Sequence, residues 1–157
     1  MRKIRKNYKT PSKGWSKERI EKEREIVKNY GLKKKREIWR SETVSRKFRR
    51  LARELAAQAN KEKEKILIDK LVKLGLLSEG STLDDVLSLT AEKFLERRLQ
   101  TILVRKGICT TPRQSRQFIV HGHIKINGIR IVYPGYLVPK SEENNIQADI
   151  QIKKAAV

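Results

Sequence analysis

Residues 111–130 bring together side chains that can bind phosphate, ribose and base edges. Arginine and lysine neutralise phosphates, whereas glutamine, asparagine and threonine form hydrogen bonds with sugars and bases. The residues of this segment that we expect to contact such a ligand are Thr111, Arg113, Gln114, Arg116, Gln117, His121, His123, Lys125, Asn127 and Arg130. We expect the ligand to be RNA, because an RNA helix presents phosphates and 2′-hydroxyls more readily than base edges.

The same segment is poor in the groups that catalysis or a metal site would need. His121 and His123 have no cysteine, aspartate or glutamate near them in the sequence, so they make a weak candidate for a zinc site. Cys109 is the only cysteine, and no base accompanies it in the sequence. We therefore predict no catalytic residue, no metal ligand and no cofactor.

A second group of basic residues lies in the first third of the chain. A helix over about Thr43–Asn60 would place Val44, Phe48, Leu51 and Leu55 on its buried face. The basic residues that we expect to face RNA from this region are Arg40, Arg46, Lys47, Arg49, Arg50 and Arg53. A solvated face normally mixes charges of both signs, because like charges one turn apart repel. Because nearly all the charges on this helix face are positive, we expect it to bind nucleic acid rather than to be a solvated face or a membrane-bound amphipathic helix.

Two helices are predicted to position the basic residues of the second half. Thr90 can cap a helix that runs to about Lys106, where Gly107 ends it. Its apolar stripe would leave Arg98 at the flank and Arg97 pointing away, both free to contact RNA. The second helix would begin after Thr111, with Pro112 at the first helical position, and end at Gly122. Its inner face would carry Ser115, Phe118 and Ile119.

A hairpin is predicted after these helices. Isoleucine alternates with polar residues from His123 onward, and Asn127-Gly128 is a strong signal for a two-residue turn. The resulting register would bury four isoleucines on one side, namely Ile124, Ile126, Ile129 and Ile131. On the other side it would place Lys125 opposite Arg130, which is unfavourable unless a phosphate lies between them.

The whole chain is predicted to be α+β and mostly helical. Its 38 Lys+Arg against 18 Asp+Glu give a net charge of +20, which calls for an anionic partner. We expect a basic extended tail over 1–15, an amino-terminal helical RNA-binding domain over 16–89, and a helix-helix-hairpin RNA-binding domain over 90–140. We expect residues 141–157 to be a tail with one strand that packs back on the hairpin, because Ile146, Ala148, Ile150 and Ile152 alternate with polar residues. Within 16–89, helices are expected from Ser16 to Gly31, around Ile66–Leu74 and over Leu83–Leu89.

Cellular location can also be predicted. A lone cysteine indicates a reducing compartment, so we expect a cytoplasmic protein. The basic start of the chain lacks the apolar run of a secretory signal, and no segment is long and apolar enough to span a membrane.

The segment FLERRLQTILVRKGICTTPRQSRQFIVHGHIKINGIRIVYPGYLVP resembles the αL RNA-binding motif. Its form is similar to that of small-subunit ribosomal protein four of the archaeal and eukaryotic type. Arg98-Leu99 matches the family's helix-one Arg-Leu. Thr111, Arg116 and Gln117 match its Thr…Ala-Arg-Gln pattern, with Ser115 for the alanine, and Asn127-Gly128 matches its hairpin. Upstream, YGLKKKREIWRSETVSRKFRRLAREL resembles the family's helical domain.

This resemblance implies a structural component of the small ribosomal subunit, bound to its rRNA early in assembly and in contact with neighbouring ribosomal proteins. It also implies a position near the path by which mRNA enters and an influence on decoding accuracy. The chain departs from the family in two respects. It lacks the amino-terminal cysteines with which bacterial relatives bind zinc, and Gln100 replaces the family's aspartate.

Three other classes of protein fit the sequence less well. An αL motif also occurs on pseudouridine synthases and some aminoacyl-tRNA synthetases, but residues 1–92 contain no phosphate-binding glycine loop, metal cluster or acid–base pair. A free RNA-binding factor related to heat-shock proteins would lack the amino-terminal domain. A DNA-binding helix-turn-helix protein fits the hairpin and the broad basic surfaces less well than an RNA-binding protein does.

Overall fold

The computed structural model describes residues 6–58 and 60–149 as a mostly helical chain with one small sheet, which confirms the predicted α+β class. The helices and strands are α1 (Lys17–Asn29), α2 (Arg36–Gln58), α3 (Lys61–Lys73), α4 (Leu83–Leu87), α5 (Ala91–Glu96), α6 (Leu99–Arg105), α7 (Pro112–Val120), β1 (Ile124–Ile126), β2 (Ile129–Arg130), α8 (Lys140–Glu143) and β3 (Ile146–Ala148).

Helix α2 is the centre of the amino-terminal half. The sequence had indicated a start at about Thr43, but the helix begins at Arg36. The hydroxyl of Thr43 does not cap the helix but donates to the carbonyl of Trp39 inside it, at 2.7 Å. Ile38 lies in the added turns and is buried, so packing continues the helix past the point where a capping residue could have started it.

The buried face of α2 differs in part from the predicted one. Val44, Phe48 and Leu55 pack against the core, but Leu51 is 42% exposed. Small residues, Ser45 and Ala52, occupy the fully buried positions instead. Their size lets neighbouring segments approach the helix closely, and the Ser45 hydroxyl donates to the carbonyl of Leu89 at 2.7 Å.

Helices α3, α4 and α5 cover that face. The side chain of Asn60 caps α3, which ends before Gly75 as expected. Leu67 and Leu71 are buried, whereas Ile66, at the start of the predicted helical segment, is 68% exposed. The predicted short helix near Leu83 is α4, and Phe94 of α5 stacks on Phe48 with ring centroids 5.9 Å apart.

The helix predicted over 90–106 is two helices, α5 and α6. Arg98 between them has extended backbone, with φ −71° and ψ 143°. At this break Leu99 N–H donates to the carbonyl of Tyr136, and Val138 N–H donates to the carbonyl of Arg97. Hydrogen bonds to a distant segment thus replace those of a continuous helix, a tertiary effect that local periodicity does not reveal.

Helix α7 and the hairpin follow the prediction closely. Thr111 accepts a hydrogen bond from Gln114 N–H at 3.3 Å, and α7 ends at a left-handed Gly122. Asn127 and Gly128 have φ of 50° and 79°, and Ile126 pairs with Ile129.

The sheet has the order β2-β1-β3, so the predicted carboxyl-terminal strand does pack on the hairpin. The alternation that we had extended to Ile150 and Ile152 lies outside the described residues. Only Ile124 and Ile126 of the expected four isoleucines are buried, because they lie on the central strand β1. Ile131 is half-buried, and Ile129, on the edge strand β2, is 67% exposed.

Candidate nucleic-acid interface

The exposed side of α2 carries the first basic surface. Arg46, Lys47, Arg50 and Arg53 are exposed, and Arg49 is half-buried. Arg50 forms an ion pair with Glu54 at 2.9 Å, but both side chains are largely in solvent, so that pair contributes little. Within residues 6–58 and 60–149 the other four have no carboxylate within 4.0 Å, which leaves their charges available to a ligand.

Helix α7 carries the second basic surface. Arg113 and Gln117 are exposed, and their side chains make no hydrogen bond to other described residues. Val120 lies on the same outer face and is 55% exposed. The amide oxygen of Gln114 instead accepts from the N–H and hydroxyl of Thr110, so this residue helps to close the start of the helix.

The second surface continues from α7 into the hairpin. The rings of His121 and His123 are stacked with centroids 6.2 Å apart. Arg130 is exposed, and its Cδ atom lies close to Gly122, where a Cβ would come within 2.8 Å of it. The side-chain oxygen of Asn127 accepts from the Asn145 amide at 2.7 Å, which partly engages it within the protein.

Lys125 lies opposite Arg130, as the register had predicted. The charge that balances Lys125 is a carboxylate of the protein itself. Asp149, just after β3, lies 2.9 Å from the lysine Nζ. We had expected a phosphate to balance this pair of like charges, but the pairing of β3 with β1 brings the Asp149 carboxylate to this place.

Arg97 does not point away from the protein, which corrects our expectation. Its side chain is buried, donates to Glu143 at 2.8 Å and to the carbonyl of Val138 at 2.7 Å, and packs on Gly75. A Cβ at Gly75 would lie 2.9 Å from the guanidinium carbon. The break between α5 and α6 turns this side chain inward. Arg97 therefore stabilises the fold and is not accessible to RNA.

Arg98 is also buried rather than at an open flank, and it joins the two halves of the molecule. Its Nη2 lies 2.5 Å from Glu37 Oε2 of α2, and Nη1 of Arg116 on α7 lies 3.1 Å from the same oxygen. Burial opposes ionisation of Glu37, but its hydrogen bonds to the two guanidinium groups outweigh that effect and hold its pKa below the usual range. Glu37 is therefore an ionised link between α2 and the second half.

Gln100 forms a second link that the sequence did not reveal. Its side chain is buried, and its amide nitrogen donates to the carbonyls of Tyr30, Gly31 and Pro112 at 2.8–3.1 Å. The aspartate of the related family could not make these donations, since an ionised carboxylate only accepts hydrogen bonds. A glutamine within an otherwise apolar stripe was the available signal.

The cysteine, the histidines and the acidic residues form neither a metal site nor a reactive thiol among the described residues. The part of the chain that the structure describes contains no group of three or more histidine, cysteine or acidic residues suited to a metal ion. Cys109 is buried, and burial raises the pKa of its thiol, so it is an unreactive packing residue. No described helix is both long and apolar enough to cross a bilayer.

The protein thus has a basic helical half and a basic half made of two helices and a sheet. Buried polar contacts join the two halves, and the second half carries an αL-type motif.

Residues 97–144 match the family model described as the S4 domain. The chain is similar to three curated relatives, each named small ribosomal subunit protein uS4. It is 52% identical to that of Nanoarchaeum equitans over 91% of this chain and 82% of the relative. For Hyperthermus butylicus the values are 52%, 91% and 83%, and for Methanococcus aeolicus they are 54%, 92% and 84%.

The chain belongs to the uS4 family of small ribosomal subunit proteins. This confirms the resemblance drawn from the sequence. The relatives are ribosomal proteins and not enzymes, which agrees with the expected lack of catalysis.

Proposed function

We propose that this protein binds the rRNA of the small ribosomal subunit through the basic surfaces of α2 and of α7 with the hairpin. The observation that carries the proposal is the contrast among its basic residues. Arg97 and Arg98 are buried and paired, whereas the cations on these two surfaces are exposed or half-buried and, among the described residues, mostly lack a carboxylate partner. The residues that we retain as candidate RNA contacts are Arg40, Arg46, Lys47, Arg49, Arg50, Arg53, Arg113, Arg116, Gln117, His121, His123, Lys125 and Arg130.

Both proposed domains contribute to this function. Residues 16–89 and 90–140 would act as two RNA-binding units, held in one orientation by Glu37 and Gln100. A rigid pair of surfaces can select a particular arrangement of RNA helices, because it binds well only where both surfaces meet phosphates at once. Such selection suits a multi-helix junction.

The finer features of the proposal rest on family membership. We propose that binding occurs early and promotes assembly of the small subunit, with neighbouring ribosomal proteins as further partners. Once assembled in the cytoplasmic ribosome, the protein would lie near the path by which mRNA enters and would influence the accuracy of translation.

A competition assay tests the central proposal. Purified protein would be titrated against small-subunit rRNA at fixed salt, with duplex DNA of equal phosphate concentration as competitor. Retention of rRNA binding in the presence of excess DNA would support RNA-specific recognition. Equal binding to both would point to the DNA-binding alternative.

A further inference from the structure

A pocket lies at the junction of the two halves, between the basic surfaces described above. Its volume is about 320 Å³, within the range of about 300–1,000 Å³ typical of small-molecule sites. Arg40 of α2 and Arg116 of α7 both line it, so it joins the first basic surface to the second. An RNA bound to both surfaces would therefore have this pocket within reach.

The walls of the pocket combine flat cations with apolar groups. Val44, Phe94 and Leu137 supply the apolar part, and Arg40, Arg98 and Arg116 supply the cations. A phosphate group alone gains nothing from contact with apolar side chains. A nucleobase fits both parts of the pocket, because its faces stack on guanidinium planes and pack on apolar groups, while its edge carries hydrogen-bonding groups.

The single carboxylate in the pocket has room for one further donor. Glu37 Oε2 already accepts from Arg98 and Arg116, and Oε1 accepts from Lys33 N–H at 3.2 Å. An ionised carboxylate has about four acceptor positions, so one position on Oε1 remains. This acceptor would repel a phosphate, but it suits the amino group of adenine, cytosine or guanine.

A neighbouring depression can hold the phosphates of the same nucleotide strand. It has a volume of about 450 Å³, shares Glu37 and Arg40 with the pocket, and is otherwise lined by Lys6, Asn7, Tyr8, Lys34 and Arg36. The cations suit a phosphodiester backbone, and Tyr8 offers a further stacking surface. The two cavities together fit a nucleotide whose base is turned inward and whose phosphates remain outside.

We propose that the junction pocket receives one unpaired, amino-bearing base of the rRNA. This proposal rests on the proposed rRNA binding and adds a specific site to it. The base would stack against the guanidinium group of Arg40 or Arg116 and donate from its amino group to Glu37. Binding of the base would make the orientation of the two halves part of RNA recognition.

Substitutions that fill the pocket with an apolar side chain, without changing the net charge of the protein, would test this proposal. Ser41 lines the pocket from α2, and its hydroxyl only donates to the carbonyl of Glu37 in the same helix. Ser41→Leu should therefore fold normally while it occludes the pocket. Gly135→Val fills it from the opposite segment, where a Cβ would lie 3.4 Å from Arg98 Nη2. Ser141→Leu, at an exposed position on α8, is the matched control.

Each protein would be bound to small-subunit rRNA, and base edges would be probed with dimethyl sulfate and kethoxal. With wild-type protein and the control we expect one base to be protected that becomes reactive again with either filled variant. Other protections should persist, and affinity should fall roughly tenfold, the value of one stacked base. Equal affinity and unchanged protection in both folded filled variants would overturn the pocket proposal while leaving rRNA binding intact. Protection of sugars alone, with base edges reactive, would also overturn it. Failure of the wild-type protein to bind rRNA would overturn the proposed function itself.

Discussion

Individual arginines in this protein differ in function although the sequence presents them alike. Arg113 is exposed on α7, whereas Arg97 and Arg98 are buried and bonded to Glu143 and Glu37. If the proposed function holds, removal of an exposed cation removes a phosphate contact. Removal of Arg97 leaves the Glu143 carboxylate without its arginine, and removal of Arg98 leaves Glu37 with Arg116 alone, so either change should damage the fold.

Arg113→Ala should weaken rRNA binding by about 1–3 kcal/mol, the range for charge-assisted hydrogen bonds, without lowering the thermal unfolding temperature. Filter binding and a thermal melt would measure the two effects. Lys70→Ala, at an exposed position on α3, provides the control for loss of one positive charge. If the two variants bound rRNA with equal affinity, Arg113 of α7 would not be part of the RNA interface.

Glu37 has a pKa lowered by its two arginine partners, so its ionised form stabilises the folded state. This contribution is present above the unfolded pKa of about 4.3 and is lost as pH falls through the lower folded value. Glu37→Gln should therefore lower the free energy of unfolding by about 2–3 kcal/mol at pH 7, and the difference from wild type should shrink below about pH 4.

Denaturant unfolding at several pH values would measure this difference. Glu25→Gln, at an exposed position on α1, should have little effect at any pH. A loss for Glu37→Gln that is the same at pH 3 and pH 7 would show that ionisation of Glu37 is not its cause.

At the scale of helices and strands, the start of α7 packs tightly on the loop after α1. Gly31 has φ of 57°, and a Cβ there would lie 2.8 Å from Pro112 Cβ and 3.0 Å from the Pro112 carbonyl carbon. Gly107 has a similar φ of 69°, but nothing lies within 4 Å of its Cβ position. The pair therefore separates backbone strain from the close contact between the two halves.

Gly107→Ala should cost about 1–2 kcal/mol through backbone strain alone. Gly31→Ala should cost more, because the Pro112 contact must also be relieved, and it should weaken rRNA binding by disturbing the junction. Chemical denaturation and filter binding would compare the two. Equal losses of stability would mean that the contact between Gly31 and Pro112 is unimportant.

The sequence allowed the local elements to be predicted where their signals are local. The Thr111 cap, the Asn127-Gly128 turn and the strand at Ile146 all follow from residue types and spacing. The break at Arg98 could not be predicted, because its cause is hydrogen bonding to residues 136–138, far along the chain. The inward direction of Arg97 depends on that break, and so does the pairing of Arg98 with Glu37.

The exposure of basic side chains was predicted better than their partners were. Arg46 and Arg113 are exposed as expected, since they lie opposite apolar stripes on regular helices. Carboxylates distant in sequence, Glu37 and Asp149, pair with Arg98 and Lys125 only because the fold brings them together. The junction pocket also forms only because the fold brings distant segments together, so no local sequence pattern predicts it.

The molecule as a whole carries a net charge of +20, with basic surfaces on both halves. If about eight phosphates are neutralised, the logarithm of the association constant should fall with the logarithm of salt concentration at a slope of about −6 to −7. Titrations at several salt concentrations would measure it. A slope of about −2 or shallower would mean that only one of the two surfaces binds RNA.

The most direct test of the account is where the protein travels in a cell extract. Sucrose-gradient sedimentation at moderate and then high salt, with an antibody against this chain, would measure its association with ribosomal subunits. We predict that it sediments with the small subunit and remains there after the high-salt wash, because both halves hold the RNA at once. Recovery at the top of the gradient would contradict a structural role in the subunit and favour a free RNA-binding factor.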